Sequence, residues 1–278
     1  MADPLPELET VRLSRGASNG GELRIELHRP ERLNAWDDRL GADLKRAVEL
    51  AAADATVRCV TVTGAGRAFS SGADLRTTLA GADGGPPDVG TVLRERYHPI
   101  ILGLRHMPKP VLAAVNGPAA GIGCSLALAC DLVVAAESAY LLLAFVNIGL
   151  APDGGASALV PARAGAGRAA QMALLGERVG AAQAERWGLV DRVVPDDGFT
   201  AEVDALAERL ATGPALAQAA IKAQLNARLY AGLEEQLELE AGLQQELARS
   251  PDSAEGIAAF AEKRRASFSG EAPIPPTL

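Results

Sequence analysis

The stretch of residues 115–131 constrains the fold of this chain more than any other. It begins at the end of an apolar run, residues 111–115, that is typical of a buried strand. Gly117, Gly121 and Gly123 follow, and the residues after them are small or apolar on every face, which predicts a buried helix. The first turn of such a helix has unpaired backbone N–H groups at the positive end of its dipole. The pattern fits a site for developing negative charge, and it also fits glycines needed only for packing.

Length, charge and composition limit the class of protein. With 278 residues the chain can bury a sizeable core, and its formal charge of −8 argues against nucleic acid as the main partner. The longest uncharged run, residues 110–130, is broken by Asn116, Gly117 and Pro118, so it does not predict a membrane span. The N-terminus lacks an apolar signal segment, and the three cysteines are typical of buried free thiols. We therefore expect a cytoplasmic protein.

Strand and helix patterns alternate through the earlier part of the chain. Polar and apolar residues alternate in residues 22–28, and β-branched residues are frequent in residues 57–63, so both segments predict strands. Residues 37–53 have helical spacing. We predict an α/β core over residues 1–198, followed by a helical region over residues 199–278. Helical spacing in that region covers residues 201–211, 214–232, 234–249 and 252–268.

Three common types of site are disfavoured. Gly64 and Gly66 follow a predicted strand, but Phe69 occupies the third glycine position of a dinucleotide fingerprint. Ser125 lies in a sequence similar to a nucleophile elbow, yet all three histidines precede it, which excludes the residue order of an α/β-hydrolase triad. No histidines or cysteines have the spacing of metal ligands, so the sequence predicts no metal site.

Two short turns remain as candidate functional positions. Gly72-Ala73 is a second turn that a glycine permits, and it can direct a backbone N–H at a ligand. Asp153 lies in a tight turn before a predicted helix, where an aspartate is commonly the N-cap. The alternative is a general base whose pKa is adjusted by apolar neighbours. The residues alone leave both interpretations open.

These stretches together resemble the crotonase (enoyl-CoA hydratase/isomerase) superfamily. The matching motifs occur in the family's order and extend from about residue 11 to residue 268. The motifs are Arg29-Pro-Glu-Arg-Leu-Asn-Ala, Gly64-Ala-Gly-Arg-Ala-Phe-Ser-Ser-Gly-Ala-Asp-Leu, Pro108-Lys-Pro-Val-Leu-Ala-Ala-Val-Asn-Gly, Gly121-Ile-Gly-Cys, Ala127-Leu-Ala-Cys-Asp, Gly149-Leu-Ala-Pro-Asp-Gly-Gly, Ala184-Glu-Arg-Trp-Gly-Leu-Val and Glu255-Gly-Ile-Ala-Ala-Phe-Ala-Glu-Lys-Arg. Residues 145–153 are similar to the ring-epoxide phenylacetyl-CoA isomerases and related enoyl-CoA isomerases.

The resemblance implies a fold, a substrate class and an assembly. The fold is α/β, a crotonase-like spiral of ββα units with a C-terminal helical trimerisation region. The partners of each chain would be further copies of itself, in a homotrimer or a dimer of trimers. The substrate would be an acyl-CoA thioester, with coenzyme A present as part of that substrate and no separate cofactor.

The resemblance also assigns roles to individual positions. By position, the oxyanion hole consists of the backbone N–H groups of Ala73 and Ile122, in the two glycine-containing turns noted above. Asp153 matches an aspartate that some isomerases of the family use. Phe260 and Lys263 would reach the nucleotide end of coenzyme A, in the same or a neighbouring subunit. The full set expected to contact the substrate is Arg32, Ser71, Asp74, Leu75, Gly121, Phe145, Phe260 and Lys263.

Two departures from the family pattern favour one reaction over another. Hydratases of the family use two glutamates, and the resemblance places Ser125 and Phe145 at those positions. A pocket with Phe145, Leu143 and Ile122 and one carboxylate should be dry, which favours moving a proton within the substrate over adding water. We predict an isomerase in which Asp153 moves a proton and thereby a double bond. Two alternatives stay open: a 2-enoyl-CoA hydratase with Asp153 acting alone on water, and a non-catalytic CoA-binding scaffold subunit in which Asp153 only caps a helix.

Overall fold

The structure is a computed structural model that describes residues 4–16, 21–75 and 88–270. Its main sheet contains six strands: β1 (Val11–Arg15), β2 (Glu22–Leu27), β3 (Cys59–Gly64), β4 (Val111–Val115), β6 (Leu132–Ala136) and β9 (Arg192–Val194). Their spatial order is β1-β2-β3-β4-β6-β9, antiparallel between β1 and β2 and parallel elsewhere. A smaller sheet joins β5 (Ala119–Ala120), β7 (Tyr140–Leu142) and β8 (Val179–Gly180), with β7 in the middle.

The helices cover the main sheet and form the C-terminal part of the described chain. They are α1 (Asp38–Ala53), α2 (Val89–Val92), α3 (His98–His106), α4 (Ile122–Ala129), α5 (Ala156–Ala164), α6 (Ala166–Leu175), α7 (Ala181–Trp187), α8 (Phe199–Ala211), α9 (Ala215–Leu229), α10 (Leu233–Leu247) and α11 (Pro251–Ala261). A π-helical turn, Leu93–Tyr97, joins α2 to α3, and 3-10 turns occur at Pro30–Arg32 and Phe145–Ile148. Within residues 4–16, 21–75 and 88–270, none of the helices has the length and apolarity to cross a bilayer.

The strand–turn–helix unit predicted around residues 115–131 lies at the centre of the molecule. Every residue of β4 and every residue of α4 is buried. α4 packs against both sheets, through β4 and β5, and against α5, which gives an all-apolar helix the burial that it needs. Gly123 also lets α4 lie close to the segment that contains Ser70, because a Cβ at Gly123 would lie 2.7 Å from the Cβ of Ser70. The mixed α/β architecture predicted from the sequence is therefore confirmed.

The C-terminal helices are joined to the core in different ways. α8 packs on β2, β3 and β6, and its Val203 and Ala207 belong to the main hydrophobic core. α9 is held by the buried Lys222, whose ammonium lies 2.7 Å from Asp131 Oδ2. α10 packs on α2 and α5, and α11 packs on the 3-10 turn Phe145–Ile148. The helix predicted over residues 252–268 was wrong at its end: α11 stops at Ala261. The division of the chain at residue 198 stays a prediction.

Candidate active site

Two backbone turns lie side by side at the centre of the site. The chain at Ser70 pairs with the chain just before α4, through hydrogen bonds from Ser70 N to Pro118 O (3.0 Å) and from Ala120 N to Ser70 O (2.9 Å). Gly72 and Gly121 follow these bonds on their respective segments. The pairing therefore fixes the position of one glycine turn relative to the other.

Both glycines have backbone conformations that other residues adopt rarely. Gly72 has φ +93°, and a Cβ there would lie 2.9 Å from the carbonyl oxygen of Ala120. Gly121 has φ 54° and ψ −129°, and a Cβ there would lie 3.7 Å from both Gly72 Cα and Phe145 Cζ. A side chain at either position would strain the backbone, and at Gly72 it would also separate the two segments.

The residues that follow these glycines present free backbone donors. Trp36 N donates to Gly72 O and Asp74 N donates to Trp36 O, so Ala73, between them, directs its own N–H to the opposite side. Ile122 is the first residue of α4, where a backbone N–H has no partner within the helix. Neither N–H donates to an acceptor in the described part of the chain. Two unpaired donors on adjacent segments are suited to stabilising one developing oxyanion.

Asp153 lies on a turn that packs directly on α4. A Cβ at Gly154 would lie 2.3 Å from Ile122 Cδ1 and 2.9 Å from Ser125 Cβ, so the turn and the helix are in contact. The hydroxyl of Ser125 donates to the carbonyl oxygen of Asp153 at 2.8 Å. The carboxyl-bearing turn is thereby attached to the helix that begins with Ile122.

The carboxyl group of Asp153 is buried and only half satisfied. It is 7 % exposed, and Oδ2 accepts a hydrogen bond from Gln244 Nε2 at 3.1 Å. Oδ1 is also buried and has no hydrogen-bond partner among the described residues. Burial, reinforced by the charge of Glu240 and opposed by the Gln244 hydrogen bond, raises the pKa of Asp153 to about 8. A carboxyl with this pKa can both hold and release a proton near neutral pH.

The interpretation of Asp153 as a helix N-cap is wrong. Its side chain makes no capping bond to α5. The donors at the start of α5 are bound by Glu240 instead, which accepts from Gly155 N at 2.7 Å and from Ser157 N at 3.0 Å. Glu240 is 3 % exposed and lies on α10. The capping function is therefore performed from another helix, and the Asp153 side chain is left for a different role.

Glu240 and Gln244 are site residues that the sequence reasoning missed. They lie on the buried face of α10, which also contains Leu233, Leu237 and Ala241. The signal that could have found them is two polar residues within the apolar stripe of a helix, because such residues need a buried partner.

The two positions at which hydratases of the family would have glutamates contain no carboxylate. Ser125 is 0 % exposed, and its hydroxyl bonds to the backbone of the Asp153 turn. Phe145 is 8 % exposed, and its ring lies next to Gly121. Among the described residues, the carboxyl group on the turn that contacts Ile122 is that of Asp153.

The predicted coenzyme A contacts fall into two groups. Ser71 N donates to Leu33 O at 2.9 Å, and its hydroxyl donates to Arg32 O at 3.4 Å, so Arg32 and Ser71 share an exposed rim beside Ala73. Asp74 and Leu75 continue this rim and are half-buried. The structure thus brings Arg32, Ser71, Asp74 and Leu75 together with Gly121 and Phe145 around the two turns.

Phe260 and Lys263 form the second group, at the end of α11. Phe260 is 66 % exposed, and Lys263 is also exposed. The Lys263 side chain makes no hydrogen bond or ion pair within residues 4–16, 21–75 and 88–270. α11 itself packs on the turn that contains Phe145. The approach is so close that a Cβ at Gly256 would lie 2.5 Å from Ile148 Cα. The described contacts do not bring Phe260 and Lys263 to Ala73, so their assignment to the nucleotide stays a prediction.

Comparison with known proteins identifies relatives along almost the whole chain. Residues 18–271 match the family model described as enoyl-CoA hydratase/isomerase. The chain is 41% identical over 251 residues to 1,2-epoxyphenylacetyl-CoA isomerase of Escherichia coli (strain K12), which covers 90% of this chain and 96% of the relative. It is 46% identical over 248 residues to a protein of Rhodobacter capsulatus named "Probable enoyl-CoA hydratase", which covers 88% of this chain and 93% of the relative.

A solved structure supports the same relationship in three dimensions. The crystal structure of an enoyl-CoA hydratase from Mycobacterium avium subsp. paratuberculosis K-10 superposes with a TM-score of 0.85. The two chains are 41% identical, and the match covers 95% of this chain and 100% of that one. The crotonase-like fold implied by the sequence motifs is confirmed.

Proposed function

Because the chain belongs to the enoyl-CoA hydratase/isomerase family, we propose that it is an acyl-CoA isomerase that moves a double bond through a thioester enolate. In this proposal the N–H groups of Ala73 and Ile122 bind the thioester oxygen, and Asp153 carries the proton. The acyl-CoA substrate contacts Arg32 and Ser71 on the exposed rim. Coenzyme A is then part of the substrate, and the proposed chemistry needs no metal or separate cofactor.

The proposed reaction begins with the ionised form of Asp153. Its carboxylate takes a proton from the carbon next to the thioester of a 3-enoyl-CoA, and the electron pair moves to the thioester oxygen. The two backbone N–H groups stabilise the resulting dienolate. The electron pair then returns, the 2,3 double bond forms, and the protonated Asp153 gives its proton to the fourth carbon. No water is consumed, and Asp153 ends in its starting state.

The observation that carries this proposal is the free oxygen of Asp153. Oδ1 is buried, has no hydrogen-bond partner among the described residues, and lies on the turn that contacts Ile122 and Ser125. One carboxyl with one free oxygen is what a proton shuttle within a single substrate requires. Water addition in hydratases of the family uses two carboxylates, and the two corresponding positions here are Ser125 and Phe145.

We propose that the chain assembles as a homotrimer or a dimer of trimers. Exposed apolar residues on α9 support this part of the proposal, since burying them against other copies removes apolar surface from water. They are Leu216 (88% exposed), Ile221 (54%), Leu225 (50%) and Leu229 (48%). Sedimentation or light scattering of the purified protein measures the assembly directly.

The deciding experiment is an incubation with a 3-enoyl-CoA in heavy water, followed by separation and mass spectrometry of the products. The isomerase proposal predicts a 2-enoyl-CoA of unchanged composition apart from exchanged deuterium. Asp153→Asn should abolish the conversion, because the amide cannot accept the proton. Asp197→Asn makes the same change at an exposed carboxylate, and it should retain full activity. Full activity in Asp153→Asn would contradict the proposed role of Asp153.

The second candidate is a 2-enoyl-CoA hydratase, which the name of the Rhodobacter capsulatus relative favours. A product that has gained one water would select it and would require a second proton donor. A scaffold subunit would bind the acyl-CoA without converting it. A thioester with a ring-derived acyl group is a further substrate to test, because the Escherichia coli relative is named for one.

A further inference from the structure

We infer that Gln244 and Glu240, on neighbouring turns of α10, are positioning residues that act through Asp153: Gln244 orients its carboxyl group, and Glu240 determines which of two buried carboxyls keeps a proton. The inference rests on the role proposed above for Asp153. It assigns part of the proton-transfer machinery to the C-terminal helical region, which contributes neither of the two backbone donors.

Gln244 fixes both the backbone and the side chain of the Asp153 turn. It is 1 % exposed, and its Nε2 donates to Ala151 O at 2.6 Å and to Asp153 Oδ2 at 3.1 Å. The two amide hydrogens are therefore used on the same turn. Because Gln244 binds Oδ2, the carboxyl group is oriented with Oδ1 as the oxygen left for proton transfer.

Glu240 is the better satisfied of the two buried carboxyls. It accepts hydrogen bonds from the backbone N–H groups of Gly155 and Ser157 and from the Ser157 hydroxyl. It also lies at the N-terminal end of α5, where a negative charge is favoured. Burial raises the pKa of Glu240, while the bonds from Ser157 and Gly155 lower it. The Glu240 carboxyl accepts three hydrogen bonds, whereas the Asp153 carboxyl accepts one. Because such bonds stabilise the charged form, Glu240 is the group that ionises first.

In the described part of the chain, the other elements that contact the Asp153 turn present neutral groups. α4 presents the neutral hydroxyl of Ser125, and α5 presents the neutral hydroxyl of Ser157. On α10, Glu238 is exposed and paired with Arg94, and it does not act on Asp153. Among the described residues, Glu240 is the charged group that acts on the Asp153 carboxyl. Glu240 is therefore the ionised member of the pair, and Asp153 holds its proton until the solution becomes alkaline.

The test compares two variants whose effects should be opposite in sign. Glu240→Gln removes the neighbouring negative charge, so Asp153 should lose its proton at lower pH. Gln244→Met removes the hydrogen bond that favours the charged carboxyl, so Asp153 should lose its proton at higher pH. Glu238→Gln and Gln245→Met are the matched controls, because they make the same changes on α10 at side chains bonded to Arg94 and Gly90 instead.

Two readouts are measured for each variant. The first is the titration of the Asp153 carboxyl by carbon-13 NMR, with the signal assigned by its loss in Asp153→Asn. The second is the pH profile of kcat/KM with a 3-enoyl-CoA, which reports the ionisation of the free enzyme. We expect both to move to lower pH in Glu240→Gln and to higher pH in Gln244→Met, and to stay in place in the controls. At pH values below the profile's rise, each unit of displacement changes kcat/KM about tenfold.

A purely structural role predicts a different result. If both variants lose activity equally at every pH while the carboxyl titration stays in place, the inference is wrong. If Glu240→Gln does not fold, Gln244→Met alone decides by the same criterion. If the titration of Asp153 moves as expected in the two variants but the wild-type protein converts no enoyl-CoA, the proposed reaction is wrong. The inferred action of Glu240 and Gln244 on Asp153 then stands. If the wild-type protein converts the substrate and Asp153→Asn does not, but neither variant moves the titration or the pH profile, the proposed reaction stands and the inference is wrong.

Discussion

The backbone N–H of Ile122 can be deleted with little change to the fold, which makes its proposed role directly testable. Ile122 is the first residue of α4, and its N–H has no acceptor in the described chain. Proline is well tolerated at a first helical position, since its missing N–H would be unpaired there in any case. The preceding residue, Gly121, has no Cβ to clash with the proline ring. The substitution Ile122→Pro therefore removes the proposed oxyanion donor and keeps the helix.

The loss of kcat expected from removing the N–H can be separated from the effect of removing the isoleucine side chain. Removing one oxyanion-hole donor in other enzymes lowers kcat by about 10²–10³, or about 3–4 kcal/mol. The isoleucine side chain is 1 % exposed, and its Cδ1 lies against the Gly154 turn, so truncation also costs about 2–4 kcal/mol of folding stability. Ile122→Ala also removes the Cδ1 that contacts the Gly154 turn, and it retains the N–H. We expect kcat of Ile122→Pro to be about 100-fold below that of Ile122→Ala.

The assay is the steady-state conversion of a 3-enoyl-CoA, with thermal unfolding of both variants measured in the same buffer. A donor that acts mainly in the transition state should lower kcat and kcat/KM together and leave KM almost unchanged. Values of kcat for the two variants within about threefold of each other, at similar unfolding temperatures, would refute the assignment of Ile122 to an oxyanion hole.

Three further predictions concern stability. The pKa of Asp153 is raised from 3.8 to about 8, so the folded protein holds a proton that the unfolded chain has released between these values, and wild-type stability should fall as the pH rises through that window. Asp153→Asn should remove this dependence and be more stable at about pH 9, by on the order of 5 kcal/mol, in urea denaturation. Gly154→Ala should lower both stability and kcat/KM, because φ is +65° and the new Cβ would lie 2.3 Å from a side-chain carbon of α4. Gly165 has φ +82° and ψ 161°, and a Cβ there would have no atom within 4 Å, so Gly165→Ala should cost only backbone strain of about 1–3 kcal/mol. Lys222→Met should destabilise the protein by about 1–3 kcal/mol in the same denaturation assay, because it leaves the carbonyl oxygens of Leu104 and Lys109 without their buried donor. Half-buried Asp131 also loses the ammonium at 2.7 Å but keeps its ion pair with Arg105.

Sequence patterns predicted the parts of this fold that depend on local periodicity. The strand and helix around residues 115–131 were predictable because an all-apolar helix after a glycine turn has few places to lie. The helix over residues 37–53 was predictable from the helical spacing of its apolar residues, and Asp37 caps it by accepting from Leu40 N. The end of α11 was not predictable, because helical spacing continues past Ala261 while Lys263 adopts a φ of 55°, a left-handed conformation that does not continue the helix.

The candidate site was only half predictable, because half of it depends on contacts between distant residues. Ala73 and Ile122 each follow a glycine, and that local signal identifies a turn with an available N–H. Glu240 and Gln244 are marked locally as polar residues within an apolar stripe, but no local signal shows which group they bind. Gln244 is 91 positions from Asp153 along the chain. Sequence spacing could not show that α10 supplies the cap of α5, so it could not decide whether Asp153 was a cap. Only the packing of α10 on α5 resolves that question.

The unpaired oxygen of Asp153 is an argument about function because it opposes stability. A buried acceptor without a donor costs about 1–3 kcal/mol, and a carboxyl beside a second buried carboxyl costs more once both ionise. Glu240 shows that this part of the protein can satisfy a buried carboxyl fully, with three donors. A scaffold that only binds coenzyme A gains nothing from an unsatisfied Oδ1, whereas a proton acceptor needs an oxygen that no donor already occupies. An Asp153→Asn protein that is more stable at alkaline pH and unable to move the double bond would show that this cost belongs to catalysis.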